Sequence, residues 1–196
     1  MSPTSNVRGC RRSNSLVSST SYARAMLHEP SIVADTTPWD VAEGEVDRWR
    51  GACIQVFARC ESAITEALLV LTEGAVAKPR LPHLVGQRFE KLDAAVTGGK
   101  VPSGGAARLK TALDAFRAHD DLRTILCHGS AQVAVDRCGE WLAVFRCIAC
   151  RSGGTDHVVR TFTALQADEA LVQLRHDGQV LNLMLGQLCK SMKSEA

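Results

Sequence analysis

The sequence predicts a mainly α fold: a helical bundle of three helices, a small antiparallel β insert and one closing C-terminal helix. Three observations carry this. Apolar residues recur at three- and four-residue steps from Trp39 to Glu73, the period of a helix with one buried face. The period drops to two from Ser130, where Ala131, Val133 and Val135 alternate with Gln132, Ala134 and Asp136, as a half-buried strand requires. After Thr163 the helical step returns and holds to Leu188.

Residues 1–36 are polar and aperiodic, with a run of serines and the Arg11-Arg12 pair. They read as a disordered tail or as a mis-called extension ahead of a start at Met26; the Arg/Ser-rich, acid-poor composition also mimics a transit peptide. Residues 37–196 read as a single α-rich domain. It opens on Thr37-Pro38, a capping hydroxyl followed by Pro at the first helical position. The first helix, Trp39 to about Glu73, directs Val46, Trp49, Cys53, Val56, Phe57, Cys60, Ile64, Ala67, Leu68 and Leu71 to one face, and Gly74 marks its stop.

A loop with Pro79 and Pro82 leads to a second helix, about His83 to Val96, closed by Gly98-Gly99. A third is expected as one piece from Ala106 to His128, with Leu109, Leu113, Phe116, Leu122, Ile125 and Leu126 inward and Gly129 at its end. Strands follow at Ser130 to Asp136 and Trp141 to Cys150 about the turn Arg137–Glu140, with a third at His157 to Phe162, so the β insert spans about 130–162. The last helix, Ala164 to Leu188, is expected to be interrupted or bent at Gly178.

Composition narrows the function classes. At 196 residues the chain suits one domain with a real core. A formal charge of +2 is too mild for gripping long nucleic-acid duplexes, so any RNA contact must be local. No segment approaches the ~18 continuous apolar residues of a membrane span, and no membrane partner is expected. The eight cysteines do not read as a disulfide framework: Cys53, Cys60 and Cys127 lie in predicted helices among apolar neighbours, as free thiols in a reducing cytoplasm do. Cys147-x2-Cys150, with Cys138 before and His157 after, has zinc-like spacing. Within a strand, however, positions three apart face opposite sides, so neither metal nor cofactor is expected.

The chemistry concentrates in Asp120-Asp121-Leu122-Arg123-Thr124-Ile125-Leu126-Cys127-His128-Gly129. RNA carries its own nucleophile in the 2′-OH, so its cleavage needs a base, an acid and positive charge on phosphorus. A histidine titrating near ~6.5 can exchange protons at cell pH, and an Arg fork can hold two phosphate oxygens. Thr124 offers a hydroxyl, and Asp120 lies within helical reach of Arg123. On an ideal helix Arg123 and His128 stand about 140° apart. Their convergence needs a swung Arg side chain, a loosened last turn, or a cleft between two copies. In the plainer reading His128 caps the helix and Arg123 joins a surface ion pair. His119, four residues before Arg123, shares its face, and Glu61 or Glu66 of the first helix can reach an Arg of the third.

The segment Leu122–Gly129, after a long helix and before a hairpin, resembles the HEPN superfamily of all-α domains. Its hallmark is an Arg, four to six intervening residues and a His at a helix end, with a polar residue after the Arg; Arg123, Thr124 and His128 occupy those places. The resemblance implies a homodimeric, metal-independent endoribonuclease of toxin–antitoxin or defence systems. It makes RNA the substrate, an antitoxin or other protein a partner, Arg123 and His128 catalytic, and Thr124 and Asp120 supporting. Some members lack a working motif and serve as binding or scaffold domains, so the alternative is a non-catalytic dimeric module binding protein, nucleotide or RNA. Thr124 stands where Asn, Asp or His is commoner, and the hairpin is an insert many members lack.

Overall fold

The computed structural model describes residues 36–72, 80–151 and 154–194, with the side chains of 149–151 excepted. The readings made for residues 1–35, for Gly74 and for Pro79 lie outside the described residues. Those described form α1 (Pro38–Val70), α2 (Val85–Thr97), α3 (Ser103–Arg117), α4 (Asp120–His128), β1 (Ser130–Val135), β2 (Trp141–Arg151), β3 (Gly154–Thr163) and α5 (Ala164–Ser194). The chain is mainly helical with one small antiparallel sheet.

Helix α1 begins where a capping box forms. Thr37 Oγ1 accepts from the Asp40 amide at 3.2 Å, while Asp40 Oδ2 accepts from the Thr37 amide at 2.9 Å. These bonds satisfy amide donors that have no partner within the helix. Thr37 Oγ1 also donates to Asp40 Oδ2 at 2.7 Å, and this bond, more than the one from the Thr37 amide, holds the Asp40 carboxyl below its ordinary pKa. The helix buries Val46, Trp49, Cys53, Phe57, Cys60, Ile64 and Leu68, the face its periodicity predicts.

Helices α1 and α5 run parallel through the core. Trp49 Nε1 donates to Ala167 O at 2.7 Å, and Cys60 Sγ lies 3.6 Å from Gly178 O, so equal steps along both helices keep them in register. Gly178 does not interrupt α5, which is continuous. It lets the two helices approach closely: a Cβ there would lie 2.8 Å from Val56 Cγ1 and 3.2 Å from Cys60 Sγ. An exposed Gly→Ala change in a helix gains about 1 kcal/mol, but overpacking a filled core costs about 1–3 kcal/mol. Val56 is β-branched and stiff, so the clash wins. Gly178→Ala is expected to lower the melting temperature by a few degrees, and a rise would show that the helices part freely.

The expected third helix is two. Arg117 ends α3 and Asp120 starts α4, with the Ala118 amide bonded to Asp114 O and the His119 amide to Phe116 O. The latter i→i−3 bond tightens the last turn of α3 and turns the chain. His119 Nε2 then meets Asp177 Oδ2 of α5 at 2.8 Å, which pins the bend.

The sheet has order β1-β2-β3, antiparallel throughout. Ser130 pairs with Arg146 and Val135 with Trp141; Leu142 pairs with Thr163 and Ile148 with His157. Along β2, Trp141, Ala143, Phe145 and Cys147 are buried while Leu142, Arg146 and Ile148 are exposed. Only the first set faces the helices. There Trp49 meets Phe162, Phe145 and Trp141 at ring-centroid distances of 5.0, 5.9 and 6.4 Å, fastening the sheet to α1. Among the described residues, no helix is long and apolar enough to cross a membrane.

Candidate functional site

Helix α4 carries Arg123, Thr124 and His128, and its anchoring decides where they point. Leu122, Ile125 and Leu126 are buried, which leaves Arg123 on one flank and His128 on another. Gly129 does not close the helix by a left-handed turn, the usual device. Its backbone is already extended (φ −80°, ψ 140°), and its amide bonds to Ile125 O at 2.9 Å as the chain swings into β1.

The negative end of α4 is capped from α1. Arg50 Nε donates to Leu126 O at 2.6 Å and its Nη2 to Gly129 O at 3.2 Å. The same guanidinium lies 5.8 Å from the Phe145 ring centroid. A permanent cation thus satisfies carbonyls that the helix end leaves orphaned and opposes its dipole. Sequence reasoning missed Arg50, whose partners lie over seventy residues away.

Arg123 points toward α1. Its Nε donates to Glu61 Oε1 at 2.6 Å in a half-buried ion pair, so of the two candidates on the first helix, Glu61 and Glu66, it is Glu61 that pairs with it. Thr124 Oγ1 donates back to Asp120 O at 2.9 Å within its own turn. Asp120 makes no side-chain hydrogen bond or ion pair among the described residues. Desolvation by the surrounding protein pushes its carboxyl above the ordinary carboxylate pKa, with Arg117 and Arg123 drawing it part of the way back. Asp177 goes the other way. Burial alone would raise it, but hydrogen bonds from His119 and Gln173 outweigh that and hold it below the ordinary value. The buried thiols of Cys53 and Cys60 are pushed up by desolvation to about 12 and about 11. Both are therefore inert packing groups rather than nucleophiles.

His128 is exposed and opens into a cleft of about 530 Å³ lined by Ser130, Arg146, Cys147, Ile148, His157, Val158 and Val159. Arg123 is not part of that lining. The cleft is lined by His128 together with Arg146 and His157, two residues of the insert, and its lining does not include Arg123, Thr124 or Asp120. A separate cleft beside Trp49 and Trp141 sets Arg48 and Arg175 against Glu45 and Asp168, a balanced charge that gives a polyanion no net pull. The His128 cleft has a cation in its lining and no carboxylate.

Among the described residues, no group of three or more His, Cys, Asp or Glu side chains is placed to hold a metal ion. Cys138 sits in the β1–β2 turn, where its amide donates to Asp136 Oδ1 at 2.8 Å, and the Cys150 side chain lies outside the described residues. No protein-family model matches this chain, and neither a curated protein nor a solved structure shows significant similarity to it.

Proposed function

We propose that this chain is a metal-independent endoribonuclease of HEPN type that works as a homodimer and cuts RNA at the His128 cleft. The observation that carries the reading is the placement of His128 at the end of α4, exposed and free of any hydrogen bond or ion pair among the described residues, in an open cleft that also holds Arg146. RNA supplies the attacking 2′-oxygen, so a mobile proton carrier beside a fixed cation suffices for the chemistry. Arg123, tied to Glu61, serves as a positioning residue that braces α4 and so aims His128. Thr124, bonded within its own turn, and Asp120 support the same helix.

The dimer is supported by the outer row of α5, where Leu165, Val172 and Leu183 are each about two-thirds exposed. A second copy related by a two-fold axis would cover such a row with its own. In a toxin–antitoxin or defence setting, the antitoxin or partner protein would act by occluding the cleft.

The test is incubation of the purified full chain with single-stranded RNA in the presence of a chelator, followed by end-group analysis. Cleavage leaving 2′,3′-cyclic phosphate and 5′-hydroxyl ends is expected, with a solution mass of two chains by light scattering. No cleavage and no RNA binding would leave the second reading, a non-catalytic interaction module. The Arg123–Glu61 pair is the observation that favours it, because it consumes the motif's arginine in structure.

A further inference from the structure

Resting on the reading of this cleft as an RNA-cleaving site, the residues around His128 assign the rest of its machinery. Strand pairing places Arg146 opposite Val159 and Ile148 opposite His157, so Arg146 and His157 are diagonal neighbours on adjacent strands. Such positions lie about 7–8 Å apart, within reach of long side chains. Ser130, two residues after His128, pairs with Arg146 on the other side. The turn from α4 into β1 therefore delivers His128 to the same patch, and all three side chains line one cleft.

The charge at this patch is available. Among the described residues, the side-chain partner of Arg146 is the neutral amide oxygen of Gln132, which leaves the guanidinium further donors for a phosphate. Ile148 and Val159 in the same lining are more than half exposed, giving an apolar surface for a base or ribose.

We infer that Arg146 binds the scissile phosphate of RNA and that His157 is the second proton-transfer group, paired across the phosphate with His128. One imidazole, neutral, takes the proton of the 2′-OH as the 2′-oxygen bonds to phosphorus. The bond from phosphorus to the 5′-oxygen breaks, its electron pair stays on that oxygen, and the other imidazole, protonated, gives it a proton. The products are a 2′,3′-cyclic phosphate and a 5′-OH. The two histidines exchange protonation states and nothing is oxidised or reduced.

The experiment compares the full chain with His157→Ala, Arg146→Ala and, as a control outside the cleft, His176→Ala on α5, using a single-stranded RNA oligonucleotide in chelator. His157→Ala and Arg146→Ala are each expected to lower kcat/KM about 100-fold or more with melting temperatures unchanged, and His176→Ala to match the parent. A parent that cleaves while both cleft variants stay within twofold of it overturns the assignment and leaves the broader reading standing. A parent that does not cleave sinks the broader reading instead. The assignment is then decided by histidine-ring NMR with inorganic phosphate and a 2′-deoxy oligonucleotide as probes. Shifts at both His128 and His157 that vanish in Arg146→Ala uphold the phosphate site, and unmoved resonances overturn it.

Discussion

Trp49→Ala is expected to cost about 3–5 kcal/mol of folding stability, the range for truncating a large buried aromatic. The indole is 5% exposed and touches three rings of the sheet, Phe162, Phe145 and Trp141. Its Nε1 also reaches Ala167 O at the start of α5. One side chain thus joins α1, the sheet and α5. For a chain of this size each kcal/mol moves the melting temperature about 2–4 °C, so a drop of about 6–20 °C is expected, a large part of a typical total stability. Trp49→Phe separates the contributions: it keeps most of the ring contact and loses the hydrogen bond, worth about 0.5–1.5 kcal/mol. Thermal and urea melts of both variants check this, and a change under 2 °C for Trp49→Ala would mean that the sheet does not depend on the junction.

Most of the fold was legible because its signals are local. The apolar face of α1 follows from spacing alone, and its start follows from Thr37-Pro38. The alternation of Ala131, Val133 and Val135 announced a strand. The break between α3 and α4 was not legible. No Gly or Pro marks it, and the inward stripe runs through both helices; what makes it is the tightened turn at Ala118-His119 and the bond from His119 to Asp177, 58 residues away. Helix propensity alone marks Gly178 as a break, whereas its role is to admit Val56 and Cys60 of α1.

The candidate site divides in the same way. His128 beside Gly129 stands out in the sequence, and Glu61 or Glu66 is within foreseeable reach of an Arg on the third helix. Arg146 and His157 did not stand out as a pair, because their adjacency depends on the register of β2 against β3, which no spacing along the chain encodes. In the sequence His157 stands out only as a companion to Cys147 and Cys150. Local sequence therefore revealed the histidine and the helix end, while tertiary pairing supplied its neighbours and took Arg123 elsewhere.

That division yields opposite signatures for the two motif residues. His128→Ala is expected to lower RNA cleavage about 10²–10⁴-fold, the usual contribution of a positioned proton carrier. Its melting temperature should stay within about 1 °C, because surface changes outside packed or bonded networks are nearly neutral. Arg123→Ala should do the reverse. It breaks a pair whose members are 29% and 20% exposed, between the surface case worth about 1 kcal/mol or less and the buried case of about 3–5. A loss of about 1–2 kcal/mol follows, together with a fall in cleavage of less than about tenfold as α4 loosens. Glu61→Ala should reproduce both effects, and the double variant should cost less than the sum of the singles, since the second change removes a partner already lost. The alternative outcome is equally specific. If Arg123→Ala is as inactive as His128→Ala while Glu61→Ala stays active and the Arg123→Ala fold melts unchanged, the guanidinium belongs to the chemistry, and the phosphate-holding role moves from Arg146 to Arg123.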